Sequence, residues 1–135
     1  MSGPFDIVNP RELGKPHGFN HGLVAPPGAR LLFVAGQTAT DEAGRIPSND
    51  FAVQFERALE RVLAVVRHAG GRPDHVGRMT IYVTTISGYA ASREALGVLW
   101  KRHMGSHYPA MALVEVTALF DPDALVEIEA TAVLP

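Results

Sequence analysis

Two histidine pairs, His17 with His21 and His103 with His107, stand four residues apart. On a helix that spacing puts both imidazoles on one face, as in many zinc sites. Neither pair has that setting. His17 and His21 fall in a stretch punctuated by Gly18 and Gly22 that reads as strand or loop. His103 and His107 straddle Gly105, a helix stop. No carboxylate or cysteine completes either set, and no metal is expected. His21 is better read as a polar rim residue near Phe19, or as a solvated imidazole. The absence of cysteine excludes thiolate nucleophiles and disulfides. Composition leaves a Ser-His-Asp set open, but no Gly-x-Ser-x-Gly elbow presents a serine, and the glycines form no phosphate loop.

The carboxylates carry more. Glu115, Glu127 and Glu129 lie in two alternating C-terminal stretches that read as strands, residues 108–116 and 126–134. In the second, Val126, Ile128, Ala130, Ala132 and Leu134 share one side. Leu125, Glu127, Glu129, Thr131 and Val133 share the other. In the first, Met111, Leu113, Glu115, Thr117 and Leu119 are expected on the same side as Glu127. Apolar side chains mixed with carboxylates suit a face buried against another subunit better than one open to water. A homo-oligomer is therefore expected, with pockets where subunits meet.

The elements that must position these residues are legible along the chain. At 135 residues it is expected to form a single domain over residues 1–135, burying roughly 65–70% of its unfolded surface. A first short strand is expected over residues 5–8. Two more, residues 18–24 and 29–38, flank the Pro26-Pro27-Gly28 turn. In the latter, Leu32 and Val34 oppose Leu31, Phe33, Ala35 and Gln37. Phe51, Phe55, Ala58, Leu59, Val62, Val66 and Ala69 recur at helical spacing, with Ser48, Asn49 or Asp50 as the cap and Gly70-Gly71 as the stop. A strand follows over residues 78–84, with Met79, Ile81 and Val83 on one face. A second helix over residues 88–104 would bury Tyr89, Leu96, Leu99, Trp100 and Met104. Helix crossovers imply parallel pairing and the terminal hairpins antiparallel pairing. The result is an α+β fold: a mixed sheet with two helices on one face.

Composition narrows the partners. A formal charge of −2 with scattered basic residues gives no stripe of the kind nucleic acid requires. No apolar run approaches the roughly 18–20 residues that cross a bilayer, and the N-terminus lacks a signal-peptide pattern. The cytoplasm is the expected location.

Taken together, several segments resemble the reactive-intermediate deaminase (Rid, or YjgF; endoribonuclease L-PSP-like) family. They are Phe33-Val34-Ala35-Gly36-Gln37, the first helix with Gly70, Met79-Thr80-Ile81-Tyr82-Val83, Pro109-Ala110 with Val114-Glu115-Val116, and Val126-Glu127-Ile128-Glu129-Ala130. They span nearly the whole chain in the family's order. The resemblance implies a chorismate-mutase-like fold and a homotrimer whose sheets form a central barrel. Small-molecule ligands would bind in clefts between subunits. It implies hydrolysis of small imines and enamines such as 2-aminoacrylate, without cofactor or metal.

That chemistry uses an arginine that clamps the substrate carboxylate, a glutamate that handles water and a tyrosine that orients. Glu127 matches the glutamate; the competing reading is an interface carboxylate paired across subunits. Met111 stands where the arginine belongs, and Phe19 where the tyrosine belongs, the latter also readable as core. Ala35 replaces a common serine before Gly36, and Leu113 replaces a small or polar residue. All four departures run toward apolar, so Phe19, Ala35, Gly36, Met111 and Leu113 outline a changed ligand cleft. Arg93 falls where the family often has an asparagine near that cleft; it reads either as a relocated cation or as a solvated arginine beside Glu94. A ribonuclease label attached to some relatives finds no basic patch. The expected function is that of a divergent Rid protein acting on a small imine, enamine or related carbonyl compound. The alternative is a non-catalytic trimer that binds small metabolites or regulates.

Overall fold

The computed structural model describes residues 3–135. Its strands are β1 (Asp6–Val8), β2 (Gly22–Val24), β3 (Arg30–Gln37), β4 (Val76–Val83), β5 (Ala110–Glu115) and β6 (Val126–Leu134). Its helices are α1 (Phe51–His68), α2 (Ile86–Ala91) and α3 (Arg93–Met104). The main sheet runs β3-β6-β4-β5, with β6 antiparallel to both neighbours and β4 parallel to β5. β3 and β5 form its edges. The helices pack on one face, which makes this the mixed α+β sheet expected.

α1 forms as its periodicity predicts. Asp50 accepts a hydrogen bond from the Val53 amide (3.0 Å) at its start. Gly70, with φ of 89°, takes the left-handed conformation that ends it. Ala58, Leu59, Val62, Leu63 and Val66 are wholly buried against the sheet. Each large apolar side chain sealed this way contributes about 1.5–3 kcal/mol. From the sheet side, β6 supplies Val126, Ile128, Ala130, Ala132 and Leu134, and β4 supplies Met79, Ile81 and Val83.

Four expectations are corrected. β2 does not form a hairpin with β3; it pairs with β1 in a separate two-stranded ribbon, and residues 18–21 are irregular. Asn20 explains that loop: its side chain donates to the Tyr108 carbonyl (2.7 Å) and its amide to that of Pro109 (3.2 Å). The second helix is two helices. Ser92 turns its hydroxyl back to the Gly88 carbonyl (2.9 Å) and its amide to Tyr89 (3.0 Å), ending α2 before α3 begins. β5 and β6 are not a hairpin either, because the ten-residue connection, residues 116–125, carries the chain across β4.

The fourth correction follows from the third. Parallel pairing sets Met111 beside Met79, Leu113 beside Ile81 and Glu115 beside Val83. Neighbours in a ladder share a face, so Met111, Leu113 and Glu115 lie on the helix side, opposite to Glu127. Glu115 accepts the Ile86 amide (2.8 Å) at the start of α2. Thr117 and Leu119 lie beyond the strand.

The histidines have their own employment. His103 and Arg102 of α3 both bond Glu56 of α1. The His103 hydrogen bond and the neighbouring charges hold the Glu56 carboxyl below its ordinary value against the cost of burial. His107 is buried at 2% exposure, its Nε2 2.7 Å from the Val76 carbonyl and its Nδ1 without a partner among the described residues. Burial lowers its pKa from 6.5. Below 6.5 the unfolded chain takes up a proton that the folded chain resists, so stability should fall as pH drops through that value. Thermal unfolding across that window should show the loss in the native protein, and His107→Phe should flatten it.

Candidate functional site

The sequence-predicted residues fall into two groups on opposite faces of the sheet. On the uncovered face, Glu127 stands opposite Tyr82 in the β4–β6 ladder, and Glu129 opposite Thr80. The Tyr82 hydroxyl donates to Glu129 (3.1 Å), and that bond raises the phenol above its ordinary value. Arg78 lies beside Ala110 and Thr131 on this side. Leu31 and Phe33 are exposed at 58% and 75%. Nothing within the described chain covers them.

A bulge in β3 shapes this half. Val34 pairs with Ala130 but Gln37 with Ile128, so three steps on one strand face two on the other. The extra residue brings the Gly36 backbone directly over Glu127, where a methyl group on Gly36 would overlap the carboxylate. A larger residue there would have to displace the Glu127 carboxylate from its place against the backbone, and Gly36 does not take the left-handed φ that would itself call for glycine. Ala35, exposed beside it, accepts a hydrogen bond on its carbonyl from Gln37 (3.1 Å), which Arg61 in turn holds (3.2 Å). The structure thus brings Ala35, Gly36 and Glu127 together.

On the helix side, between β5 and α3, lies a cavity of about 170 Å³. Met111 lines it with Tyr89, Trp100 and Tyr108, and Arg93 borders it at the first turn of α3. Trp100 and Tyr108 stack at 5.8 Å, and the indole N–H donates to the His107 carbonyl (3.2 Å). Arg93 and Met111 therefore border the same cavity. Leu113 packs against the core below.

Phe19 belongs to neither group and is not core. It is half-buried in the loop of residues 9–21, its ring edge-on to His21 at 5.1 Å. It borders a second depression that also involves Asn9, Arg11 and Lys15. The arginine and lysine were missed in the sequence because nothing in their spacing links them to Tyr108 across the fold. Among the described residues no cluster of three or more histidine, cysteine or acidic side chains could hold a metal ion. No described helix is long and apolar enough to cross a membrane.

The pattern described as Endoribonuclease L-PSP matches residues 13–134. The chain belongs to this family. Its Rid relatives include a RutC family protein of Pyrococcus abyssi, 33% identical over 76% of this chain and 77% of its own length. The 2-iminobutanoate/2-iminopropanoate deaminase of Escherichia coli is 29% identical over 76% of this chain and 79% of its own. Among solved structures, YyfB of Yersinia pestis, a Rid protein of unknown function, superposes with a TM-score of 0.85. That match has 32% identity and covers 97% of this chain and 99% of that one. TdcF of E. coli, solved with bound serine, gives a TM-score of 0.69 at 29% identity, over 90% of this chain and 92% of its own. The Rid fold of this chain is thus shared along nearly its full length.

Proposed function

We propose that this Rid protein hydrolyses a small imine, enamine or related carbonyl compound in a cleft built by two copies of the chain within a trimer. Glu127 handles the water. The observation that carries the reading is the Glu127 carboxylate lying under Gly36 at the β3 bulge, on a sheet face left uncovered with Leu31 and Phe33 exposed. A carboxylate held against open backbone next to apolar surface suits a buried water-activating group once another subunit covers it. The Met111 cavity opens beside the edge strand β5, where a neighbouring copy can reach it. The relatives named as deaminases of imino acids favour the same reaction class.

The substrate differs from theirs. Met111 cannot pair with a carboxylate, and losing one charge-assisted bond costs about 1.5–3 kcal/mol, or roughly one to two decades in rate. Turnover of 2-aminoacrylate should therefore be weak or absent, as ketoacid release would show. Efficient turnover would overturn the reading of Met111. A panel of imines with varied side chains should yield a better substrate, and Glu127→Gln should abolish its turnover while light scattering still reports a trimer. The apolar lining of the Met111 cavity favours a second reading, a trimer that binds a metabolite without altering it. Binding by panel members with no turnover of any would select that one.

A further inference from the structure

The Met111 cavity and the depression under the loop of residues 9–21 share two walls, Gly18 and Tyr108. The two hollows adjoin at those residues. The first end is apolar and aromatic, with Trp100, Tyr108 and Met111. The second is bordered by Arg11 and Lys15 together with the amides Asn9 and Asn20. The loop that carries these cations is fastened in place. Asn9 donates to the Asn20 side chain (2.8 Å) and accepts from the His21 amide (2.7 Å), Asn20 ties to Tyr108, and the His21 ring meets the Gly14 carbonyl (3.2 Å).

Ion pairs among the described residues use Arg72, Arg102 and His103. Arg11, Lys15 and Arg93 take part in none. In a chain of net charge −2, Arg11 and Lys15 therefore stand without an acidic partner at one end, and Arg93 borders the other, whose remaining lining is largely apolar and aromatic. Glu12 shares their turn but does not border the cleft.

We infer that this cleft binds an amphipathic oxyanion, its planar or branched apolar body between Trp100 and Met111 and its carboxylate or phosphate on Arg11 and Lys15. The inference deepens the proposed function by naming the ligand class, and rests on it only in taking the Met111 cavity as the ligand cavity. It moves the anion clamp from the strand, where arginine is absent, to the loop. The ligand must then be longer than 2-aminoacrylate. A body without an oxyanion, or an oxyanion without a body, satisfies one end and leaves the other solvated.

Trp100 is the single tryptophan of the chain and reports directly from the apolar end. Titrations of its fluorescence would compare phenylacetate, phenyl phosphate, benzyl alcohol and acetate, with calorimetry as a check. At least one of the two aromatic anions should bind about tenfold or more tighter than benzyl alcohol and acetate. The tighter of the two identifies the head group. The Arg11→Ala/Lys15→Ala double variant should erase that advantage and leave benzyl alcohol unchanged. Both side chains are exposed, and an unchanged melting temperature would confirm that the variant folds. Equal binding of anion and alcohol, or equal binding by native and double variant, overturns the inference. So does a loss seen only with Arg93→Ala. Imine turnover is scored separately. Selective anion binding without hydrolysis removes the hydrolase reading and keeps the cleft; Glu127-dependent hydrolysis without anion preference does the reverse.

Discussion

Gln54→Leu should destabilise the protein by about 3 kcal/mol, a fall of roughly 10 °C in melting temperature for a chain of this size. Gln54 is wholly buried in α1, and leucine nearly matches its volume, so the cost is not a cavity. It is the loss of three hydrogen bonds. The carboxamide donates to the Ser48 carbonyl (2.7 Å) and the Asp123 carbonyl (3.0 Å) and accepts from the Leu125 amide (2.8 Å). Each stranded backbone group forfeits on the order of 1 kcal/mol or more. These bonds tie α1 to the connection that carries the chain across β4 and delivers it to β6. Hydrogen exchange at the Leu125 amide should accelerate along with the loss of stability. A drop below about 1 kcal/mol would mean that water re-satisfies these groups and that α1 does not fix the connection.

That connection is also where sequence reasoning stopped working. The stripe and caps of α1 and the inward faces of β4 and β6 were legible because each is a local period. Strand order is not local. The residues of β5 alternate cleanly, but which parity faces the helices depends on its neighbour, and Val126 to Leu134 looked like that neighbour because it follows next. With β4 between them, the parity inverts and takes Met111, Leu113 and Glu115 to the other face. The break at Ser92 was hidden because a serine hydroxyl bonding back four residues leaves helical spacing intact. Glu127 and Gly36 were each visible as motif positions, whereas their contact depends on a bulge that no period announces. The placing of Arg11, Lys15 and Tyr108 around one depression depends on the Asn20 bonds, which no local pattern announces.

The inverted parity makes the strongest claim about the site testable. Glu127 and the Met111 cavity lie on opposite faces of one sheet, so a single copy cannot present both to one substrate. If the cleft takes the cavity from one copy and the glutamate from the next, each single variant should inactivate a homotrimer. Glu127→Gln removes the base, at roughly 10²–10⁴-fold in rate. Met111→Trp fills the cavity. Unfolded together and refolded as a mixture, the two chains would assemble trimers in which a cavity from a Glu127→Gln chain meets an intact Glu127 from a Met111→Trp chain. Random assembly gives such a native pairing at one cleft in four, so about a quarter of native turnover should return on the best imine of the panel. Recovery must require co-refolding; mixing the folded trimers should restore nothing. Co-refolded protein that remains as inactive as its parents, yet trimeric by light scattering, would mean that both halves serve the same chain. The assignment of Glu127 to a neighbour's cavity would then fall while the fold stands.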